Sequence, residues 1–133
     1  MLCVDANLLT DYLDGVDAAR AFLKEYETEP WAVPSLALFE VYMGAIYGHP
    51  RGTVDDVYEA TREFEVLGID DGTVLRAARL QEELKGEGVE LGFVDAILVA
   101  AADEVGATFA TNDGTPLQSE VRERIHVVEY PGA

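Results

Sequence analysis

The sequence predicts an α/β fold in which a parallel sheet is covered by helices on both faces. Short apolar segments alternate along the chain with longer segments of helical periodicity, which is typical of parallel α/β proteins. The apolar segments are apolar throughout and do not alternate with polar residues, so we expect strands that are buried on both sides. A chain of 133 residues has the usual size of one domain, and we expect a single domain over residues 1–133.

Five short apolar segments supply the expected strands. These segments are residues 2–4, 31–33, 66–69, 107–110 and 125–130. The first is followed directly by Asp5, and the fourth is followed by Thr111, Asn112 and Asp113. Ligand sites in open α/β sheets lie beyond the carboxyl ends of strands, so the residues at these positions are the first candidates for function.

The helices are predicted from apolar residues at helical spacing and from residues that start or stop helices. Asn7 is expected to cap the first helix and Thr53 the fourth. Residues 48–50 should stop the third helix, and Gly106 should end the sixth. The expected helical ranges are 8–13, 17–29, 35–46, 53–64, 71–84 and 94–105, with a short helix around Glu120.

The chain is strongly acidic, with 26 Asp and Glu against nine Lys and Arg and a formal net charge of −17. A simple electrostatic binder of nucleic acid would be basic, so the charge excludes that class. Only two of the basic residues are lysines, Lys24 and Lys85, and the acids are spread over the whole chain. A basic partner, affinity for divalent cations and adaptation to high salt all explain such acidity. Because the acids are dispersed, we favour a halophilic protein, since molar salt screens their repulsion.

The sequence gives little indication of a targeting segment or of chemistry based on cysteine. The longest apolar run, residues 96–102, is much shorter than the ~20 residues of a membrane span. The N-terminus has no basic region followed by an apolar stretch, so we expect a cytoplasmic protein with no membrane association. The single cysteine, Cys3, cannot form an internal disulfide and has no nearby partner for a zinc site.

Four carboxylates stand in apolar surroundings or directly after strands. Asp5 and Asp113 follow strands, Asp95 lies in the first turn of the most apolar helix, and Glu40 lies inside a nearly uncharged helix. Burying unpaired charges costs several kcal/mol each, so clustered carboxylates indicate a bound cation. Oxygen donors without histidine or thiol favour Mg²⁺ or Mn²⁺. Such an ion suits hydrolysis of a phosphodiester, because it lowers the pKa of water and neutralises phosphoryl charge.

Three motifs in the same order resemble those of PIN-domain ribonucleases of the VapC toxin type. They are residues 4–9 (VDANLL), the Ser35-x4-Glu40-x3-Gly44 segment, and the run from Asp95 through residues 106–113 (GATFATND). The resemblance spans nearly the whole chain, and its third motif is the most specific. It implies a three-layer α/β/α sandwich with a mostly parallel central sheet. It also implies a Mg²⁺- or Mn²⁺-dependent endoribonuclease with an RNA substrate and a VapB-type antitoxin as partner.

The resemblance also implies roles for particular residues. Asp5 and Asp95 match the principal metal ligands, Glu40 the helical acid, and Asp113 the acid that follows the fourth strand. Thr111 matches a hydroxyl residue that orients water or ligands, and Asn7 one that supports the first aspartate. Family members often carry a further aspartate three residues after the Asp113 position. This chain has Pro116 there, which is consistent with one tight metal site and a weaker second site.

Other functional classes fit the sequence less well. A phosphoryl-acceptor module would need a second acid beside Asp5 and a lysine after a late strand, and a dehalogenase-like phosphatase would need an aspartate at Asn7. A catalytically inactive PIN-like domain that only binds protein or RNA remains the alternative. The third helix is more apolar than one small core requires, which suggests a homodimer and an antitoxin groove. The residues behind this expectation are Leu36, Leu38, Tyr42 and Ile46.

Overall fold

The computed structural model describes residues 1–131 and has a central five-stranded sheet flanked by helices. The strands are β1 (Leu2–Val4), β2 (Trp31–Pro34), β3 (Glu65–Leu67), β4 (Thr108–Thr111) and β5 (Val127–Glu129). The helices are α1 (Ala6–Leu13), α2 (Asp17–Lys24), α3 (Ser35–Ile46), α4 (Val54–Ala60), α5 (Asp71–Lys85), α6 (Phe93–Glu104) and α7 (Ser119–Arg122). The predicted α/β class is confirmed.

The sheet has the strand order β3-β2-β1-β4-β5, and every pair of neighbouring strands is parallel. From β1 the chain moves outward through β2 to β3, and it then returns to the other side of β1 to form β4 and β5. The boundary between β1 and β4 is therefore the point at which the direction of winding reverses. Ligand sites of open α/β sheets lie at such a point, beyond the carboxyl ends of the strands.

The helices form two packed groups. Helix α1 contacts α2 and α3, and α3 contacts α4. Helix α5 packs along α6 as an antiparallel pair, with Thr73 near Glu104 and Gln81 near Leu91. The core lies between these groups and the sheet, and its strand residues are almost completely inaccessible to solvent. The inner strands β1 and β4 are buried as their apolar sequences predict. The edge strand β3 differs: it was expected over residues 66–69 but spans Glu65–Leu67, and Glu65 and Val66 are exposed.

Several element boundaries differ from the sequence prediction. The second predicted helix ends at Lys24 and continues to Glu29 only as turns with i→i−3 hydrogen bonds. The fourth ends at Ala60, where the Thr61 hydroxyl donates to the Val57 carbonyl. Such a bond competes with the helical pattern of the main chain. Thr53 caps this helix as predicted, through a capping box with Asp56.

Helix α3 has an exposed apolar stripe on the side away from the core. Ile46 and Tyr47 are 59% and 79% exposed, and Phe39 and Met43 extend the stripe toward the start of the helix. Leu38, which we expected on an interaction face, is buried in the core. Helix α3 therefore exposes apolar residues, as expected, but some of its apolar residues are buried in the core of the same chain.

Within residues 1–131, no helix combines the length and the hydropathy that crossing a bilayer requires. The apolar α6 contains 12 residues, which is fewer than the ~20 needed to cross the hydrocarbon layer.

Candidate functional site

Asp5 is the most constrained carboxylate of the molecule. It follows β1, and its side chain is 4% exposed. One carboxylate oxygen accepts a hydrogen bond of 2.9 Å from the Leu8 main-chain N–H, and the other accepts one of 2.6 Å from the Thr111 hydroxyl. The first of these bonds makes Asp5 the N-cap of α1. The expectation that Asn7 caps this helix is wrong, because the helix begins one residue after Asp5.

Thr111 joins the ends of β1 and β4. Its hydroxyl donates to Asp5 and accepts a 3.1 Å hydrogen bond from the main-chain N–H of Asp113. The pairing of β1 with β4 places Val4 opposite Ala110, so the residues that follow these two strands meet. One buried hydroxyl thus fixes the position of both carboxylate-bearing segments.

Asn7 and Asn112 form a second connection across the same edge. The Asn7 side-chain amide donates a hydrogen bond of 3.2 Å to the side-chain oxygen of Asn112. Asn7 was predicted as a supporting residue, and it lies in the wall of the acidic cleft described next. Asn112 directly follows β4, at a position where functional side chains were expected.

The four predicted carboxylates line one cleft. Its volume is about 410 Å³, and its walls come from the segments after β1 and β4 and from helices α3 and α6. Asp5 is buried at its base, Asp95 is half-buried, and Glu40 and Asp113 are exposed at the rim. We call this hollow, lined by Asp5, Asn7, Glu40, Asp95 and Asp113, the acidic cleft.

The electrostatic environment of the acidic cleft opposes ionisation. Burial raises the pKa of Asp5 to about 6, and the charges of Asp113 and Asp95 add to the rise. The hydrogen bonds from Thr111 and Leu8 act in the opposite direction, but burial outweighs them. Partial burial, followed by the charge of Asp113 and a hydrogen bond between the two carboxyl groups, raises the pKa of Asp95.

Glu40 shows the same pattern from the opposite wall. Burial of part of its side chain, then the charges of Asp95 and Asp113, raise the pKa of its carboxyl group. Carboxylates from four separate elements therefore repel one another across a shared space. Removing such a penalty requires protonation or a bound cation.

The arrangement fits an ion that takes few protein ligands. Within residues 1–131, no three His, Cys, Asp or Glu side chains are grouped closely enough to enclose a metal ion. Mg²⁺ is commonly held by one or two carboxylates and keeps several waters, so it does not need such a cage. The donor set of the acidic cleft is entirely oxygen. Asp5 and Asp95 are the residues that could hold the ion, and Glu40 and Asp113 could assist.

Together, the sheet and the cleft define a class of protein: a parallel α/β sandwich in which carboxylates converge where the winding direction reverses. The chain belongs to the PIN domain family, whose model matches residues 2–122. This finding confirms the resemblance that the three motifs indicated. No curated protein matches the sequence.

Several solved structures similar to this chain come from toxin–antitoxin systems. A toxin–antitoxin complex from Klebsiella pneumoniae has 23% identity and a TM-score of 0.78, with 100% of both chains covered. FitAcB from Neisseria gonorrhoeae has 19% identity, a TM-score of 0.77 and coverage of 98% of each chain. VapBC2 from Rickettsia felis, bound to a DNA fragment from its promoter, has 16% identity and a TM-score of 0.75, with 96% of this chain and 97% of that chain covered. At these identities, the likeness shows the fold alone.

Proposed function

We propose that this protein is a single-domain, Mg²⁺- or Mn²⁺-dependent endoribonuclease, and that it is the toxin of a VapBC-type pair. The observation that carries the proposal is the acidic cleft, in which Asp5, Glu40, Asp95 and Asp113 converge from four elements. Family membership and the toxin–antitoxin neighbours support the same assignment. Nucleases that act on phosphodiesters commonly use carboxylates with divalent cations.

The proposed reaction is hydrolysis of an RNA phosphodiester. Water attacks phosphorus in line with the bond to the 3′ oxygen, that bond breaks, and the 3′ oxygen takes a proton. The products are a 5′-phosphate and a 3′-hydroxyl. A divalent cation, when bound, supplies neutralisation of phosphoryl charge and a lower pKa for the attacking water.

The residues of the acidic cleft have different roles in the proposed reaction. Asp5 and Asp95 would hold the ion, with Asp113 completing its shell directly or through water. Glu40 would complete the shell or accept the proton of the attacking water. Thr111 holds Asp5 in one orientation through its 2.6 Å hydrogen bond.

The proposal is tested by incubating the purified protein with a mixed structured RNA in EDTA, Mg²⁺ or Mn²⁺. We expect cleavage only with an added divalent cation, and fragments that carry 5′-phosphate and 3′-hydroxyl ends. End-group analysis with phosphatase and ligase checks the chemistry. Cleavage that is undiminished in EDTA would contradict the proposed mechanism.

An inactive PIN-like binding module is the second candidate. It is favoured by the lack, among the described residues, of a group of three ligands already arranged around a metal position. Calorimetric titration of the metal-free protein with Mn²⁺ separates the two functions. Metal binding together with cleavage supports the nuclease, whereas neither binding nor cleavage supports the module.

We further propose a VapB-type antitoxin and a second copy of this chain as protein partners. The apolar stripe of α3, formed by Phe39, Met43, Ile46 and Tyr47, is exposed in the single chain. A contiguous exposed apolar surface in a soluble protein commonly marks an interface. This support is independent of the cleft, since it concerns the outer side of α3.

We propose that the protein is cytoplasmic and adapted to high salt. If so, its melting temperature should rise from low salt to molar KCl, because the Debye length falls to ~3 Å at 1 M and the dispersed charges cease to repel. Thermal denaturation followed by circular dichroism measures this, with EDTA present so that trace divalent cations do not contribute. A melting temperature that is unchanged or lower in KCl would rule out the halophilic interpretation.

A further inference from the structure

Phe93 is an aromatic residue that the proposed chemistry does not use. It is the first residue of α6, two positions before Asp95, and its side chain is 84% exposed. It lines the acidic cleft and also a second, larger hollow of about 780 Å³ between α5 and α6. We call this second hollow the α5–α6 groove.

The α5–α6 groove is mainly apolar, with one cationic side chain. Its floor includes small residues, Ala77, Ala78 and Ala96, and its wall includes Val89. Lys85 at the end of α5 also lines it, and this is one of only two lysines in the chain. Glu90 lines the groove as well, so the groove has one charge of each sign. Its apolar floor suits an aromatic base, and Lys85 suits the phosphate attached to that base.

The groove is preformed by a loop with a fixed conformation. The Gln81 side chain donates a 2.6 Å hydrogen bond to the Leu91 carbonyl and accepts a 3.0 Å hydrogen bond from the Leu91 N–H. These two bonds anchor the segment between α5 and α6 to the middle of α5. They also occupy the amide of Gln81, so this side chain is not free to read the edge of a base.

We propose that Phe93 and the α5–α6 groove form a nucleobase subsite that binds single-stranded RNA beside the phosphate held in the acidic cleft. The proposal rests on the nuclease function proposed above. A strand whose phosphate lies in the acidic cleft has its next base within reach of Phe93, because this ring belongs to both walls. Stacking on the ring and the charge of Lys85 bind the strand without selecting a particular base.

The test measures RNA affinity with Mg²⁺ in a Glu40→Gln background, which removes the proposed base and leaves Asp5 and Asp95 to hold the ion. Fluorescence anisotropy with labelled oligo(U), oligo(A) and oligo(C) gives Kd for each strand. Phe93→Ala should weaken binding of all three by roughly 5- to 150-fold, the range for loss of one stacked base. Phe93→Trp should retain affinity, whereas Phe93→Leu, which keeps apolar bulk without a ring, should not.

Two matched controls accompany these variants. Tyr58→Ala removes another exposed aromatic ring, which lies on α4 outside both hollows, and should leave Kd unchanged. Lys85→Gln should reduce the slope of log K against log salt by about 0.7, the value for one phosphate contact with a single strand. Lys24→Gln removes the other lysine, on α2, and should leave the slope unchanged.

Cleavage kinetics of variants in the otherwise native protein distinguish failure of the subsite proposal from failure of the nuclease proposal. Phe93→Ala should raise KM with little change in kcat, since the subsite binds substrate and transition state alike. If the native protein cleaves RNA while Phe93→Ala leaves Kd and KM unchanged, the subsite is wrong and the nuclease function stands. If the native protein neither binds nor cleaves RNA, both are wrong. If Phe93→Ala leaves RNA binding intact but converts dimers to monomers in sedimentation, the groove is an interface between copies.

Discussion

Asp95→Asn should reduce RNA cleavage by at least about 100-fold while the protein remains folded. Even groups outside the first coordination shell of a metal site contribute about 10- to 100-fold, so loss of a principal ligand should cost more. Asp95 is half-buried, and its carboxyl group is opposed by that of Asp113. Replacing it with a neutral amide removes this repulsion, so we expect no loss of stability in the absence of metal.

A matched control for this variant is Asp71→Asn. Asp71 also lies in the first turn of a helix, α5, but it is exposed and lies outside the acidic cleft. Both variants lose one negative charge near a helix N-terminus, so any shared effect on stability reflects the helix dipole. Initial rates with Mg²⁺ and Mn²⁺, measured beside thermal denaturation, separate catalysis from folding. Full activity of Asp95→Asn would remove this residue from the mechanism.

Asp5→Asn should stabilise the metal-free protein at neutral pH. Burial raises the pKa of Asp5 to about 6, from a usual value of 3.8. At neutral pH, the folded state thus bears a penalty on the order of 3 kcal/mol for ionising this group, at about 1.4 kcal/mol per unit of pKa. An asparagine keeps the oxygen that accepts from Leu8 and has no charge to bury.

The pH dependence has a definite sign. Below about pH 4, Asp5 is protonated in both states and makes no difference to stability. Between pH 4 and about 6, the unfolded chain ionises first, so the native protein loses stability relative to Asp5→Asn. Above this window the difference is constant. Urea denaturation in EDTA, from acid to neutral pH, measures the difference; added Mn²⁺ should stabilise the native protein and have little effect on the variant.

If Asp5→Asn is instead less stable than the native protein in EDTA at neutral pH, the contacts of the carboxylate outweigh its burial. That result would identify the two hydrogen bonds to Leu8 and Thr111 as the dominant interaction. The sign of the difference therefore distinguishes a strained functional carboxylate from a structural helix cap.

Much of the fold could be predicted because its signals are local. Continuous apolar strands indicated burial on both faces, and Thr53 and Gly106 marked helix ends. The predicted strand of residues 107–110 was displaced by one residue and includes Thr111. Helix ends were harder to predict: Phe64 continues the helical spacing of apolar residues, but α4 ends at Ala60 and the chain continues in turns.

The carboxylates of the site could be predicted from the sequence, but the hydrogen bonds that connect them could not. Asp5 and Asp113 were candidates because both follow strands. The hydrogen bond that links their segments runs from the Thr111 hydroxyl to Asp5, and these two residues are 106 positions apart in sequence. Local patterns carry no information about such a contact. The exposure of Phe93 could not be predicted from its neighbours in sequence, because it depends on how α5 and α6 pack.

The central position of β1 has a consequence for the time at which the protein becomes able to act. Asp5 is synthesised before its partner strand β4 and Asp113, which lie more than 100 positions later in the sequence. A nascent chain that has not yet reached β4 lacks Thr111 and Asp113, so Asp5 has neither its hydroxyl donor nor its opposing carboxylate. The acidic cleft therefore cannot assemble until β4 has been made and has paired with β1.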